Sequence, residues 1–244
     1  MRYRESLQAL KKAQKSPAGA PAYTRFVNRP LGRRLAAAAH QLRMTPNQVT
    51  VISALFTFSG IAAIALVDPT PLSAVTVLIL LVTGYALDAA DGQLARLRGG
   101  GSPRGEWLDH MVDGVKMSTI HVAVLICWAR FYSLDSAWLL VPIGFGVVST
   151  VFYFGVIMTD MLRRASGSGP REWSANSQKA RMSPLYGLAV LPADYGALML
   201  VMVTLWASQL FIVLYVALMV FNALILLASL VRWYRSLPAG SGDA

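Results

Sequence analysis

The sequence predicts an all-α integral membrane protein, with six transmembrane helices preceded by an amphipathic helix lying along the membrane interface. Three observations carry this. Only 14% of the 244 residues are charged and 55% are hydrophobic, whereas a soluble domain carries about 25% charged residues. The apolar residues come in runs. A transmembrane helix needs roughly 20 of them, and the stretches near 49–67, 72–97, 106–132, 136–162, 190–207 and 209–233 qualify. Finally, the net charge of +10 is sorted by loop: ten Lys and Arg precede the first run, three lie in 96–105, five in 163–181 and two after 231, against one near 130 and none at 68–71 or 207–209. With the N-terminus in the cytoplasm, 20 of the 22 basic residues face inward, as the positive-inside rule requires. Arg130 faces outward and Lys116 lies within a helix. Both termini are therefore expected on the cytoplasmic side of the inner membrane. Basic residues split among loops suit anionic lipid headgroups and argue against a nucleic-acid partner.

Taken in order, residues 1–44 read as a basic tail and a juxtamembrane amphipathic helix, 45–236 as one six-helix domain, and 237–244 as a flexible tail. Residues 1–22 have no apolar signal-peptide core, so they are expected to remain on the protein as a loosely ordered segment. From Thr24 to Leu42, Val27, Leu31 and Leu35 keep a four-residue spacing against Arg25, Arg29, Arg33 and Arg34, the pattern of an interfacial helix anchored to phosphate headgroups. Pro30 suits the first turn of such a helix. Thr45-Pro46-Asn47-Gln48 is a helix start, with Thr45 as N-cap. Asp68-Pro69-Thr70-Pro71 is a tight turn, and 166–183 is a polar loop. Cys127 stands alone in an apolar run and is expected to pack there.

The costly residues are concentrated between Leu87 and Gly114. Asp88, Asp91, Gly92, Ala95 and Arg96 share one face of the second predicted helix, and Gly105, Asp109 and Asp113 share one face of the third. Folding this pair as an antiparallel hairpin about Gly101 brings Asp91 level with Met111, so all four carboxylates are expected to converge at one depth. Each Asp in a transmembrane helix costs roughly 2.5–3.5 kcal/mol, and crowded carboxylates repel. Two accounts remain, a water-filled ion path or a site for hard divalent cations. Gly92, Ala95 and Gly105 permit close approach of a ligand, and Arg96 adds a cation suited to phosphate. These favour a metal–phosphate site.

Written out, the stretch is Asp88-x2-Asp91-Gly92-x2-Ala95-Arg96-x8-Gly105-x3-Asp109-x3-Asp113, eight fixed residues over 26 positions. It resembles the signature of the CDP-alcohol phosphotransferases at every defined position, and the likeness extends loosely over residues 23–235. The resemblance implies a reaction in which a CDP-linked alcohol gives its substituted phosphate to an acceptor hydroxyl, releasing CMP, in phospholipid biosynthesis. By the same resemblance, Asp88, Asp91, Asp109 and Asp113 hold one or two Mg2+ or Mn2+ ions, with two expected, and Asp113 also takes the acceptor's proton. Gly92, Ala95, Arg96 and Gly105 bind the CDP moiety. A homodimer is likewise implied.

The remaining polar residues are assigned by position. Lys116 lies one turn beyond Asp113, either as a contact to the acceptor or its phosphate or as an ion-pair partner of an Asp. Asp194, in LPADYG, is a candidate acceptor contact or simply a helix cap. Asp160, Arg163 and Arg164 close the fourth predicted helix, as phosphate contacts or membrane anchors. His110 is a helical step off the acidic face and is kept outside the direct site. His40 and His121 lack metal-ligand spacing. The GGGS run lacks the Lys-Ser/Thr ending and the preceding strand of a phosphate-binding loop, so it reads as a hinge. CDP-diacylglycerol is the expected donor. Arg25 to Arg29 resembles the lead-in segment of members using inositol phosphate or CDP-polyol substrates, but Asp160 stands where an inositol-phosphate enzyme is expected to place a cation. A membrane prenyltransferase or a metal transporter fits less well, because neither needs the Gly92, Ala95, Arg96, Gly105 spacing and a transporter spreads its acids along a path.

Overall fold

The computed structural model describes residues 3–14, 18–167 and 182–237, and the regular structure within them is helical. Most of the 163–181 loop and of the 237–244 tail lies outside the described residues. The expectation of a loosely ordered 1–22 is corrected, because Tyr3–Lys12 form a helix, α1. Leu10 is fully buried against Ala36, Ala37 and Ala39 and against Ala90 and Leu94. Glu5 in the first turn and Lys11 and Lys12 in the last complement the helix dipole, a local signal that the polar composition obscured.

The next helical stretch begins before Pro30. A π-helical turn, Thr24–Asn28, runs directly into α2 (Arg29–Gln41), with the Arg29 N–H bonded to the Thr24 carbonyl. The wider turn accommodates a proline that lacks a donor. Small residues of α2, namely Gly32, Ala36, Ala37 and Ala39, are buried, while Phe26 and Val27 are exposed.

Among the described residues, five helices are long and apolar enough to cross a membrane: α3 (Pro46–Leu66), α4 (Pro71–Leu97), α5 (Pro103–Phe131), α6 (Leu140–Ala165, extended by a 3-10 turn at Ser136–Leu139) and α9 (Ser208–Tyr234). Their starts are chemically marked. Thr45 and Gln48 form a reciprocal capping box on α3, Thr70 and Ser73 on α4, and the Ser102 hydroxyl caps α5, each with proline in the first turn. Gly99 and Gly100, at φ of 96° and 130°, end α4 and turn the chain toward α5.

The run expected as one helix over 190–207 is broken. It comprises α7 (Pro184–Ala189), a 3-10 turn at Leu191–Ala193, α8 (Tyr195–Val201) and a second 3-10 turn at Met202–Thr204. Pro192 cannot donate to a continuing helix, and the Asp194 carboxylate starts the next one by accepting from the Gly196 N–H at 3.0 Å.

α4 is central. It packs against α1, α2, α3 and α8, while α3 also meets α5, α5 meets α6, and α6 meets α9. The α3–α4 crossing is close, with the Ser53 hydroxyl donating to the Gly84 carbonyl at 2.8 Å; a Cβ at Gly84 would collide with Thr57. At the far end from the aspartates, Trp128, Phe145, Phe211 and Tyr215 form an aromatic core, with ring centroids 5.0–6.3 Å apart among contacting pairs. Cys127 is buried in the same core.

Candidate active site

α4 and α5 each pack on α3 but not closely on each other. The hairpin expected from sequence is therefore splayed, and the gap holds the acids. Carboxylate oxygens of Asp88, Asp109 and Asp113 lie within 4.8 Å of one another. Two oxygens sharing one ion at a typical distance of about 2.1–2.5 Å can be about 4–5 Å apart, so the three residues fit a hard divalent cation. Asp91 differs from the other three. It is 6% exposed and turns toward α3, where Oδ2 accepts a hydrogen bond from the Thr50 hydroxyl at 2.6 Å. Thr50 is a functional neighbour that sequence reading missed. Its signal was a hydroxyl one turn past the capped start of α3, on the face carrying Asn47.

Beside the acids opens a cavity of about 790 Å3, lined among others by Asp91, Gly92, Ala95, Arg96, Gly105 and Asp109. Six of the eight signature residues thus border one space, and Asp109 joins it to Asp88 and Asp113. A Cβ at Gly105 would come to 3.1 Å from the Asn47 side chain, so the glycine lets α5 start against α3. Arg96 is anchored from behind: its Nε donates to the Ala13 carbonyl at 3.1 Å. Gln14, just after α1, donates to Gln93 at 2.7 Å. The tail that sequence reading left unstructured therefore braces the α4 face bearing Arg96. Arg98 and His110 also line the cavity, and neither was expected there.

The outlying candidates separate into two groups. Arg164 pairs with Glu106 at 2.7 Å and also with Asp160; Arg163, Asp160, Arg164 and His110 border a second cavity of about 270 Å3. Arg164 and His110 border both cavities. Asp194 is elsewhere, buried at 5% exposure. It accepts from the Thr24 N–H and hydroxyl at 2.9 Å each, from the Tyr85 hydroxyl at 3.2 Å and from Gly196 N–H. Its carboxylate ties three segments together and caps α8. Burial and then the Asp194 charge raise the nearby Tyr23 phenol above its ordinary pKa, and the Tyr23 ring stacks on Tyr85 at 6.2 Å. Lys116 is buried and pairs with both Asp88 and Asp113. His121 donates to or accepts from the Tyr215 hydroxyl at 2.6 Å in the aromatic core, and His40 bonds Ser6.

Comparison with known proteins gives the family and the fold. The CDP-alcohol phosphatidyltransferase family profile matches residues 43–231. The fold is similar to a crystal structure of the Mycobacterium tuberculosis phosphatidylinositol phosphate synthase with CDP-DAG bound, with a TM-score of 0.56 and 19% identity, covering 89% of this chain and 98% of that one. No curated protein sequence matches the chain.

Proposed function

The chain belongs to the CDP-alcohol phosphatidyltransferase family, and from that premise we propose that it transfers a phosphatidyl group from CDP-diacylglycerol to a polar acceptor alcohol. The observation that carries this reading is the placement of Asp91, Gly92, Ala95, Arg96, Gly105 and Asp109 around one cavity that adjoins the cluster of Asp88, Asp109 and Asp113. Asp88, Asp109 and Asp113 would hold a divalent ion, Mg2+ or Mn2+, and Asp91, held by Thr50, would be the fourth carboxylate of a site for two ions. When bound, the metal supplies neutralisation of the diphosphate's negative charge.

The protein's own residues perform the rest. Arg96, fixed through its Nε to Ala13, presents its remaining N–H groups to the diphosphate. Gly92, Ala95 and Gly105 leave room for the cytidine and its phosphates. The acceptor hydroxyl oxygen forms a bond to the phosphorus bearing the lipid, the bond from that phosphorus to the CMP oxygen breaks, and CMP departs with the electron pair. Asp113 accepts the hydroxyl proton as general base. Asp160, Arg163 and Arg164 border the smaller cavity on the α5–α6 side, where the acceptor is placed. Because Arg164 is already paired with Glu106 and Asp160, that cavity favours a neutral acceptor over an inositol phosphate.

The same reading gives the chain six crossings, with the broken segment 184–207 as the fifth, and a domain over 45–236 preceded by 1–44 and followed by 237–244. The π-helical turn and α2 lie at the interface, the exposed Phe26 and Val27 of the turn meeting lipid. The termini and the carboxylate site face the cytoplasm, where CDP and CMP are soluble, and the active form is a homodimer. The test is a panel of polyol, amino-alcohol and polyol-phosphate acceptors offered with CDP-diacylglycerol, read as CMP release and mass-resolved product. A soluble CDP-polyol donor serves as the contrasting arm. CMP release with CDP-diacylglycerol and at least one acceptor is expected; turnover of the soluble donor alone would replace the lipid assignment.

A further inference from the structure

The proton transfer and diphosphate binding described above leave one buried charge unused. Lys116 lies three residues beyond Asp113 on α5 and is 3% exposed. Its Nζ pairs with Asp113 and stands 3.5 Å from Asp88 Oδ1. On its other sides are the faces of Tyr195 and Tyr85, whose centroids are 5.1 and 5.9 Å from Nζ. Lys116 lines neither cavity described above. An ammonium group removed from water is stable only when opposite charge replaces its hydration. Here that charge comes from two of the three carboxylates clustered for metal binding. The aromatic faces add cation–π attraction and block the side chain from turning elsewhere.

The site therefore contains a permanent cation that shares ligands with the exchangeable one. We propose that Lys116 is a positioning residue of the metal centre: it fixes the orientation of Asp113 and offsets part of the charge of Asp88 and Asp113. Divalent ions then bind less tightly than to the four aspartates alone, and the loaded site carries one more positive charge toward the diphosphate. The inference rests on the reading of Asp88, Asp109 and Asp113 as ion ligands. Nothing else in the reaction requires a cation at this depth, because Arg96 already serves the cavity.

The test uses the full chain in nanodiscs, comparing wild type, Lys116→Met and Lys116→Arg. Free Mn2+ is measured by electron paramagnetic resonance, and turnover is followed as a function of Mn2+. Lys116→Met is expected to bind Mn2+ at least about tenfold tighter, since the competing charge is gone. Its turnover at saturating Mn2+ should fall about tenfold or more, because Asp113 loses its holder. Lys116→Arg should return both quantities toward wild type. Should the Met variant fail to fold, Lys116→Gln takes its place. An unchanged or weaker Mn2+ affinity in the neutral variant overturns the proposal. A wild-type protein that binds no Mn2+ overturns the ligand assignment itself, and this inference with it.

Discussion

α5 runs through two environments built on opposite terms. At one end Asp109, Asp113 and Lys116 face Asp88 across a gap that α4 and α5 leave open. About three turns away Val124, Cys127 and Trp128 are almost fully buried against Phe211 and Tyr215. At the aromatic end, polar groups are few: His121 Nδ1 pairs with the Tyr215 hydroxyl, while His121 Nε2 and the Trp128 indole N–H are buried without a hydrogen-bond partner. At the carboxylate end, four acids meet one buried lysine, an excess of acids that a divalent ion would offset in the proposed reading. The contrast shows where each kind of stability comes from. Packing holds the helices at one end, and the other is kept apart so that something charged can enter.

The largest expected effect falls on the open end alone. Asp113→Asn should lower turnover by about 10²–10⁴-fold, the range for loss of a general base, while the melting temperature changes little, because relief of repulsion among the acids offsets the loss of one of the two carboxylates paired with Lys116. Unimpaired turnover in that variant would remove Asp113 from the base role. The converse is Trp128→Ala, which empties a large buried site and should cost about 3–5 kcal/mol, read as a melting temperature lower by on the order of 10 °C. Its Mn2+ affinity should match wild type. If it does not, the two ends are coupled more tightly than the contrast allows. Asp194→Ala should come next. It leaves Thr24, Tyr85 and Gly196 donors without their shared acceptor, costing about 1–3 kcal/mol. The smallest effect is expected from Gln14→Ala, which loosens α1 from Gln93 and so from the face bearing Arg96. Its signature is a KM for the CDP-alcohol raised by about 2–10-fold with kcat nearly unchanged.

Much of the carboxylate end was legible in the sequence, because helical periodicity alone puts Asp88 with Asp91 and Asp109 with Asp113 on single faces. The turn at Gly99 and Gly100 then sets the faces opposite each other. What periodicity could not supply was the third helix. Asp91 turns to Thr50 because α3 wedges beside α4, and the spacing within a hairpin contains no information about a neighbour 41 residues away in sequence. The broken fifth segment was written in Pro192 and Asp194, but the apolar residues around them dominate any long hydropathy window. α1 was missed for the opposite reason. Its composition is polar, and burial of Leu10 depends on Ala36, Ala37 and Leu94 arriving from elsewhere in the chain. Lys116 had two readings from sequence, and its ion pairs to Asp88 and Asp113 required the α4–α5 separation to distinguish them.

The most direct test of the account is CMP release from CDP-diacylglycerol by the reconstituted protein, followed while Mn2+ is titrated in, removed with EDTA and restored. Release is expected to saturate with Mn2+, to stop on chelation and to return with the metal. Release that continues at an undiminished rate in EDTA would contradict this expectation.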